Sequence, residues 1–268
     1  MEGPKTFLIG VTQPNPEGLY RYLNYTEQQG FKATWNDAAV RTQIGESLCL
    51  VSFYAKLCYR SLVEGKNENV TRVRNVESNL KGCIDSGHGS VFEHCWLNWV
   101  TTGCSRVFTH ELVRHRVGTA FSQTSGRYCT VEDAELVLPD ELEEILEDGI
   151  WVGEEMRGLL STIKAKVAEW RTALRLDEPG TSFSVKKRLT SALRRIMPNG
   201  ATNEIGWSCN VRSLRHMIEM RTSRHAEWEI RTVFNEVAEI VENTWPLMLY
   251  GGTKESVDGQ VEWTGLKL

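Results

Sequence analysis

The sequence predicts an α+β fold built as one domain over residues 1–250, with a polar C-terminal tail over 251–268. Three observations lead there. Short runs rich in β-branched and aromatic residues are interspersed with longer stretches whose apolar residues recur at helical spacing. A chain of 268 residues with 41% hydrophobic content can bury a full core. No internal repeat, low-complexity tract or linker divides it.

Residues 6–11 read as a short strand, followed by a polar, proline-containing loop at 13–16. Residues 47–61 carry apolar side chains on nearly every turn and predict a buried helix. Over 71–85, Val73, Val76, Leu80, Cys83 and Ile84 recur at helical spacing, and Gly87 suits a left-handed cap just beyond the end. Residues 92–102 predict a strand, 105–115 a helix and 117–124 a loop. Asp140, after Pro139, suits an N-cap for a helix reaching residue 174, with Leu159, Ile163, Val167, Trp170 and Leu174 on one stripe. Residues 185–197 form another amphipathic pattern stopped by Pro198 and Gly200. Residues 204–209 read as a strand, and 213–245 as one or two helices interrupted near Ser223.

Composition narrows the function classes. Net charge is −4, so the chain is not a general binder of polymeric nucleic acid, which needs a surplus of Lys and Arg. A non-catalytic nucleic-acid module would also place exposed aromatics among its arginines, whereas Trp96, Trp99, Trp170 and Trp228 fall on apparent core stripes. The seven cysteines are odd in number and lack CxxC spacing, and no leader pattern follows Met1; a reducing, cytoplasmic setting is expected. No apolar run approaches the roughly 20 residues that span a bilayer. Cys129 lies near Arg127, which favours a thiolate, but no base is paired with it in the sequence.

The usual ligand motifs are absent. There is no phosphate loop, and Gly87 and Gly89 follow a helix rather than a strand, which argues against a Rossmann turn. His110, Glu111 and His115 give H-E-x-x-x-H, an i, i+5 spacing that puts the imidazoles on different helix faces, so no metal site is expected. The outlier is the segment from Arg114 to Tyr128. It contains three Arg, one His, several hydroxyls and a Gln amide, and no acidic residue. A solvated helix face mixes charges of both signs. This segment is a donor-rich loop suited to phosphate oxygens and carbonyl edges.

These residues resemble the flavin-dependent thymidylate synthase family. Arg114-His115-Arg116 followed by Ser122-Gln123-Thr124-Ser125-Gly126-Arg127-Tyr128 is similar to its arginine-histidine-arginine signature. His88-Gly89-Ser90-Val91-Phe92-Glu93-His94 lies upstream. Arg194 to Asn199, Asn210 to Leu214, His216, Arg221 and His225 to Arg231 follow downstream, in matching order. The resemblance implies a mixed sheet with long helices, assembled as a homotetramer with sites shared between subunits. It implies that Ser90, Arg114, His115, Arg116, Gln123, Asn210, Arg212 and His216 hold FAD. Glu111, Leu112, Val113, Arg114, Gln123, Thr124, Ser125, Gly126, Arg127 and Arg194 would hold the nucleotide, with Arg221 against its ring as the catalytic residue. An arginine is a poor base but stabilises negative charge developing on a pyrimidine, which makes carbon 5 nucleophilic.

The implied reaction methylates dUMP to dTMP, with methylenetetrahydrofolate as one-carbon donor and NADPH reducing the FAD. Eight residues, Val117 to Thr124, separate Arg116 from Ser125, one more than in the pattern it resembles. The extra residue is either absorbed at Gly118 or reshapes the transfer pocket. In the second case water would reach the transferred carbon first, giving a 5-hydroxymethyl nucleotide from dUMP or dCMP. Within these stretches, Glu93 pairs with His94 and Arg231 with Glu227 in the simplest local reading.

Overall fold

A computed structural model describes residues 3–36, 45–126, 128, 133–144, 146–147, 150–257 and 259–268. The chain begins with strand β1 (Lys5–Val11) and helices α1 (Pro16–Tyr25) and α2 (Phe31–Asn36). Asn15 caps α1 by accepting from Gly18 N, and Pro16 occupies the first turn, where its missing N–H costs nothing. Helix α3 (Glu46–Cys58) buries eight of its residues, the polar Ser47, Ser52 and Lys56 among them. Helix α4 (Val76–Asp85) starts at its Asn75 cap rather than at residue 71. It ends on Gly87 at φ +67°, with Gly87 N donating to Ile84 O and His88 N to Cys83 O. That is a Schellman cap, and it delivers His88 and Ser90 to a fixed place.

A 3₁₀ turn (Gly89–His94) precedes strand β2 (Trp96–Ser105), so the strand expected from residue 92 begins four residues later. Ser105 caps helix α5 (Arg106–Leu112) by accepting from Phe108 N. Residues expected as a loop form strand β3 (Thr119–Gln123). Its burial alternates along the strand, but Thr, Ser and Gln mask that alternation in the sequence.

The helix expected over 140–174 is interrupted. A short helix α6 (Asp140–Glu144) is followed by a two-residue hairpin, β4 (Leu146–Glu147) with β5 (Ile150–Trp151), and then by α7 (Val152–Ala173). On α7, Leu160 and Val167 are buried, whereas Leu159, Trp170 and Leu174 are 65%, 41% and 45% exposed. The stripe therefore does not all face a core. Helix α8 (Phe183–Leu193) buries no residue and leads through a 3₁₀ turn (Arg194–Ile196) to strand β6 (Thr202–Asn210). Helices α9 (Val211–Arg221) and α10 (Trp228–Thr244) follow, with the break near Ser223 as expected.

Residues 251–268, expected as a polar tail, contain the hairpin β7 (Thr253–Val257) with β8 (Gln260–Thr264). Trp263 and Leu266 are buried. Arg215 of α9, itself 1% exposed, donates to Leu266 O at 2.9 Å, Met248 O at 2.5 Å and Tyr250 O at 3.0 Å. Its Nη2 has no partner among the described residues. Arg231 donates to Thr222 O and Val257 O, and Glu227 caps α10 instead of pairing with Arg231.

The four long strands form one sheet in the order β1-β2-β6-β3. The expected mixed sheet is antiparallel wherever hydrogen bonds fix the direction. Asn210 N donates to Gly118 O and Thr124 N to Glu204 O; at the next pair, Val211 N donates to Cys95 O and Cys104 Sγ to Asn203 O.

The chain falls into two compact units: Met1–Thr6, Val100–Arg114 and Phe121–Gly206 make one, and Phe7–Trp99, His115–Ala120 and Trp207–Leu268 the other. The second is centred on Trp99 stacked on Trp207 at 5.4 Å, with Phe234 against Trp207 at 5.9 Å. Each fully buried aromatic of this kind contributes about 1.5–3 kcal/mol. On β1, Phe7 and Ile9 stay exposed at 52% and 65%.

Candidate active site

In the first unit, three arginines share a cavity of about 990 Å³: Arg106 at the start of α5, and Arg194 and Arg195 after α8. A cation in the first turn of a helix opposes the macrodipole, so Arg106 occupies a place that helix stability does not favour. Burial, and then Arg194, push its pKa down. His110, Thr124 and Gly126 also line this cavity, as do the carboxylates Asp133, Glu135 and Glu204. A β-carbon on Gly126 would lie 3.5 Å from Arg194 Cδ and 3.7 Å from Arg106 Nη2, so this glycine runs close past both arginines. Gln123 Nε2 donates to Thr109 Oγ1 at 3.3 Å, which ties the end of β3 to α5.

Of the other residues expected on the nucleotide, Leu112 is fully buried and offers a ligand only its backbone. Val113 is the C-cap of α5, and Arg114 N donates to Glu111 O. Arg114 is exposed, and Ser125 is half-buried with its carbonyl accepting from Tyr128 N. Arg127 and Cys129 lie outside the described residues.

The second unit holds a separate cluster. Arg221, at the end of α9, donates from Nε to His115 Nε2 at 2.9 Å. The rings of His115 and His216 meet edge to face at 6.2 Å. Burial, then Arg221, then His216 hold the His115 pKa down to about 4. Burial, then Lys267, lower that of His216, and Arg221 adds to this against an opposing pull from Glu219. Both imidazoles are therefore neutral near pH 7, and His115 is the acceptor its contact with Arg221 requires.

The backbone around His115 is fixed by a glycine. Gly118 has φ +65°, and a β-carbon there would collide with Asn210 Nδ2 and Ser213 Oγ. Asn210 caps α9 by accepting from Ser213 N at 2.8 Å, and Ser213 Oγ donates to Val117 O at 2.7 Å. Thr119 Oγ1 donates to His115 O. Arg212 pairs with Glu93 at 2.6 Å and donates to Leu268 O at 3.4 Å; Glu93 does not pair with His94, which stacks on Tyr54 at 3.8 Å. Ser90 is exposed on the 3₁₀ turn, and Arg116 is exposed beside His115.

Arg106 and Glu93 were not among the expected site residues. The misplaced cation in the first turn of α5 is the signal that would have found Arg106. The ion pair between Glu93 and Arg212 spans 119 residues and leaves no trace in local spacing. Among the described residues no group of three His, Cys, Asp or Glu could hold a metal, and no helix is long and apolar enough to cross a membrane.

One unit thus gathers three guanidinium groups on a cavity, and the other holds Arg221 against a neutral imidazole. The family model described as thymidylate synthase complementing protein matches residues 42–247, and the chain belongs to this family, that of the flavin-dependent thymidylate synthases. The flavin-dependent thymidylate synthase of Mycolicibacterium gilvum (strain PYR-GCK) is 35% identical over 205 residues, covering 73% of this chain and 75% of the relative. That of Mycobacterium sp. (strain KMS) is 34% identical over 200 residues, with 73% and 76% covered.

Proposed function

We propose that this enzyme transfers a one-carbon unit from methylenetetrahydrofolate to carbon 5 of the uracil ring of dUMP and releases dTMP, with FAD reduced by NADPH. The observation that carries the reading is the hydrogen bond of Arg221 to His115, two residues that both lie within the family match.

The donor set suits a flavin dinucleotide. Arg116 and Ser90 are exposed, and Arg212 and His216, in the same unit, are half-buried. Guanidinium and hydroxyl donors match pyrophosphate oxygens, and neutral imidazoles can face a flat aromatic system without a charge penalty. In this reading Ser90, Arg114, His115, Arg116, Gln123, Asn210, Arg212 and His216 hold FAD. When bound, FAD supplies the reducing equivalents that bring the transferred carbon to the methyl level.

Every other role belongs to side chains of this protein. Arg106, Arg114, Arg127 and Arg194 neutralise the nucleotide phosphate, and 123–126 positions the sugar and base through hydroxyl, amide and backbone donors. Glu111, Leu112 and Val113 contribute at the end of α5. Arg221 is the catalytic residue. His115 holds its Nε and thereby sets the plane of its guanidinium, which stabilises negative charge on the pyrimidine as carbon 5 attacks. The enzyme works as a cytoplasmic homotetramer, and the exposed apolar residues of α7 and α8 are the surface available for subunit contact.

The deciding experiment incubates the purified protein with dUMP, methylenetetrahydrofolate and NADPH, with dCMP in a parallel reaction, and reads the product by mass. A methyl gain on dUMP supports the proposal. A hydroxymethyl gain on either nucleotide replaces it with the hydroxymethylase reading, and an unchanged nucleotide removes both.

A further inference from the structure

Helices α3 and α4 and the segment between them enclose a second cavity, of about 400 Å³, that shares no lining residue with the Arg106–Arg194 cavity. Roughly a dozen water molecules would fill that volume. Lys56, Arg72, Arg74 and His88 line it, with Tyr59 and Ser61 among the neutral donors, and among the described residues no Asp or Glu side chain faces it.

Lys56 is the unusual member. It is 1% exposed. Its Nζ donates to Arg74 O at 2.5 Å and lies 5.3 Å from the centre of the Phe31 ring. No carboxylate pairs with it among the described residues. A buried ammonium without a counter-charge is costly, and here burial lowers the Lys56 pKa to about 8. Arg72 and Arg74 are exposed and likewise carry no ion pair among the described residues.

An ammonium, two guanidinium groups and hydroxyl donors thus surround a space that no carboxylate faces among the described residues. An oxyanion supplies the missing charge, and a phosphate offers three terminal oxygens to the three cations. The volume exceeds what a bare ion occupies, which leaves room for an organic group beside it.

We propose that this cavity binds a phosphate monoester, with its phosphate on Lys56 and Arg74 and its organic part in the remaining space. None of the residues given roles in the reaction lines the cavity.

The test titrates the flavin-loaded enzyme with ribose 5-phosphate by isothermal calorimetry, and with inorganic phosphate in a parallel arm. Arg74→Gln, at an exposed position, and Lys56→Met, checked for folding by thermal melting, are each expected to weaken one class of ribose 5-phosphate sites at least tenfold. Arg194→Gln is expected to leave that class unchanged. Isotherms that do not move in Arg74→Gln overturn the proposal even if Lys56→Met fails to fold. So does a site that takes inorganic phosphate and not the ester.

Discussion

Arg221 donates its Nε–H to His115 Nε2 across 2.9 Å, although 106 residues separate them in the chain. The imidazole can accept only while it is neutral, and the guanidinium beside it helps to keep it so. Each residue therefore maintains the state in which the other is useful.

Removing the guanidinium tests its role in charge stabilisation. Arg221→Ala is expected to cut kcat by about 10²–10³-fold, the usual effect of deleting one donor from a charge-stabilising site. Circular dichroism should show an unchanged fold. Arg221→Lys should not restore the rate, because an ammonium cannot both hold His115 and present a planar fork. Restoration by Lys would reduce Arg221 to a simple positive charge.

The cavity around Arg106 and Arg194 makes a separate prediction. Arg106→Gln and Arg194→Gln are each expected to raise KM for dUMP about 10–100-fold, the range for losing one charged hydrogen bond. Initial-rate kinetics over a range of dUMP concentration would check this. An unchanged KM in Arg106→Gln would return that residue to the structural background.

His115 gives the fold a pH signature. Its pKa is about 4 in the folded chain against about 6.5 ordinarily. Between those values the unfolded chain takes up a proton that the folded chain refuses, so stability is lost as pH falls from about 6.5 towards 4. His115→Gln keeps a hydrogen-bond acceptor and cannot titrate in this range. Thermal melts should show a smaller loss of Tm across the window in the variant than in the parent. Identical slopes would mean that other groups carry the acid sensitivity.

Arg215 predicts how the C-terminal hairpin is held. Arg215→Met leaves the carbonyls of Leu266, Met248 and Tyr250 without this donor. Leaving a buried polar group unsatisfied costs about 1–3 kcal/mol, so denaturant melts should record a loss of at least that order. Limited proteolysis should then cut first within residues 251–268. Equal resistance in parent and variant would show that Trp263 and Leu266 suffice to anchor the hairpin.

Gly118→Ala should destabilise the protein by at least about 1–2 kcal/mol in the same assay, since the left-handed region alone costs that much. The collision with Asn210 and Ser213 adds to it.

The sequence made most helices and strands β1, β2 and β6 legible; among the helices, α3, α4, α9 and α10 each carry enough apolar residues to show. It concealed elements whose burial is not written in apolar residues. Strand β3 alternates through Thr, Ala, Phe, Ser and Gln, and the C-terminal hairpin is polar except at a few anchoring positions such as Trp263. The exposed side of α7 misled in the opposite direction, since Leu159 and Trp170 look like core residues and are not. The donor-rich segment from Arg114 onward was visible as a departure from mixed charge. The cluster it joins was not, because His115 meets Arg221 and Arg212 meets Glu93 only through the fold.

Strand β1 stands at the margin of the sheet, with one side of its backbone unpaired by β2 and with Phe7 and Ile9 exposed. A newly made copy thus presents a sticky ribbon to other copies. The yield of folded protein then depends on how rarely two such ribbons meet, and slow synthesis at low temperature keeps those meetings few.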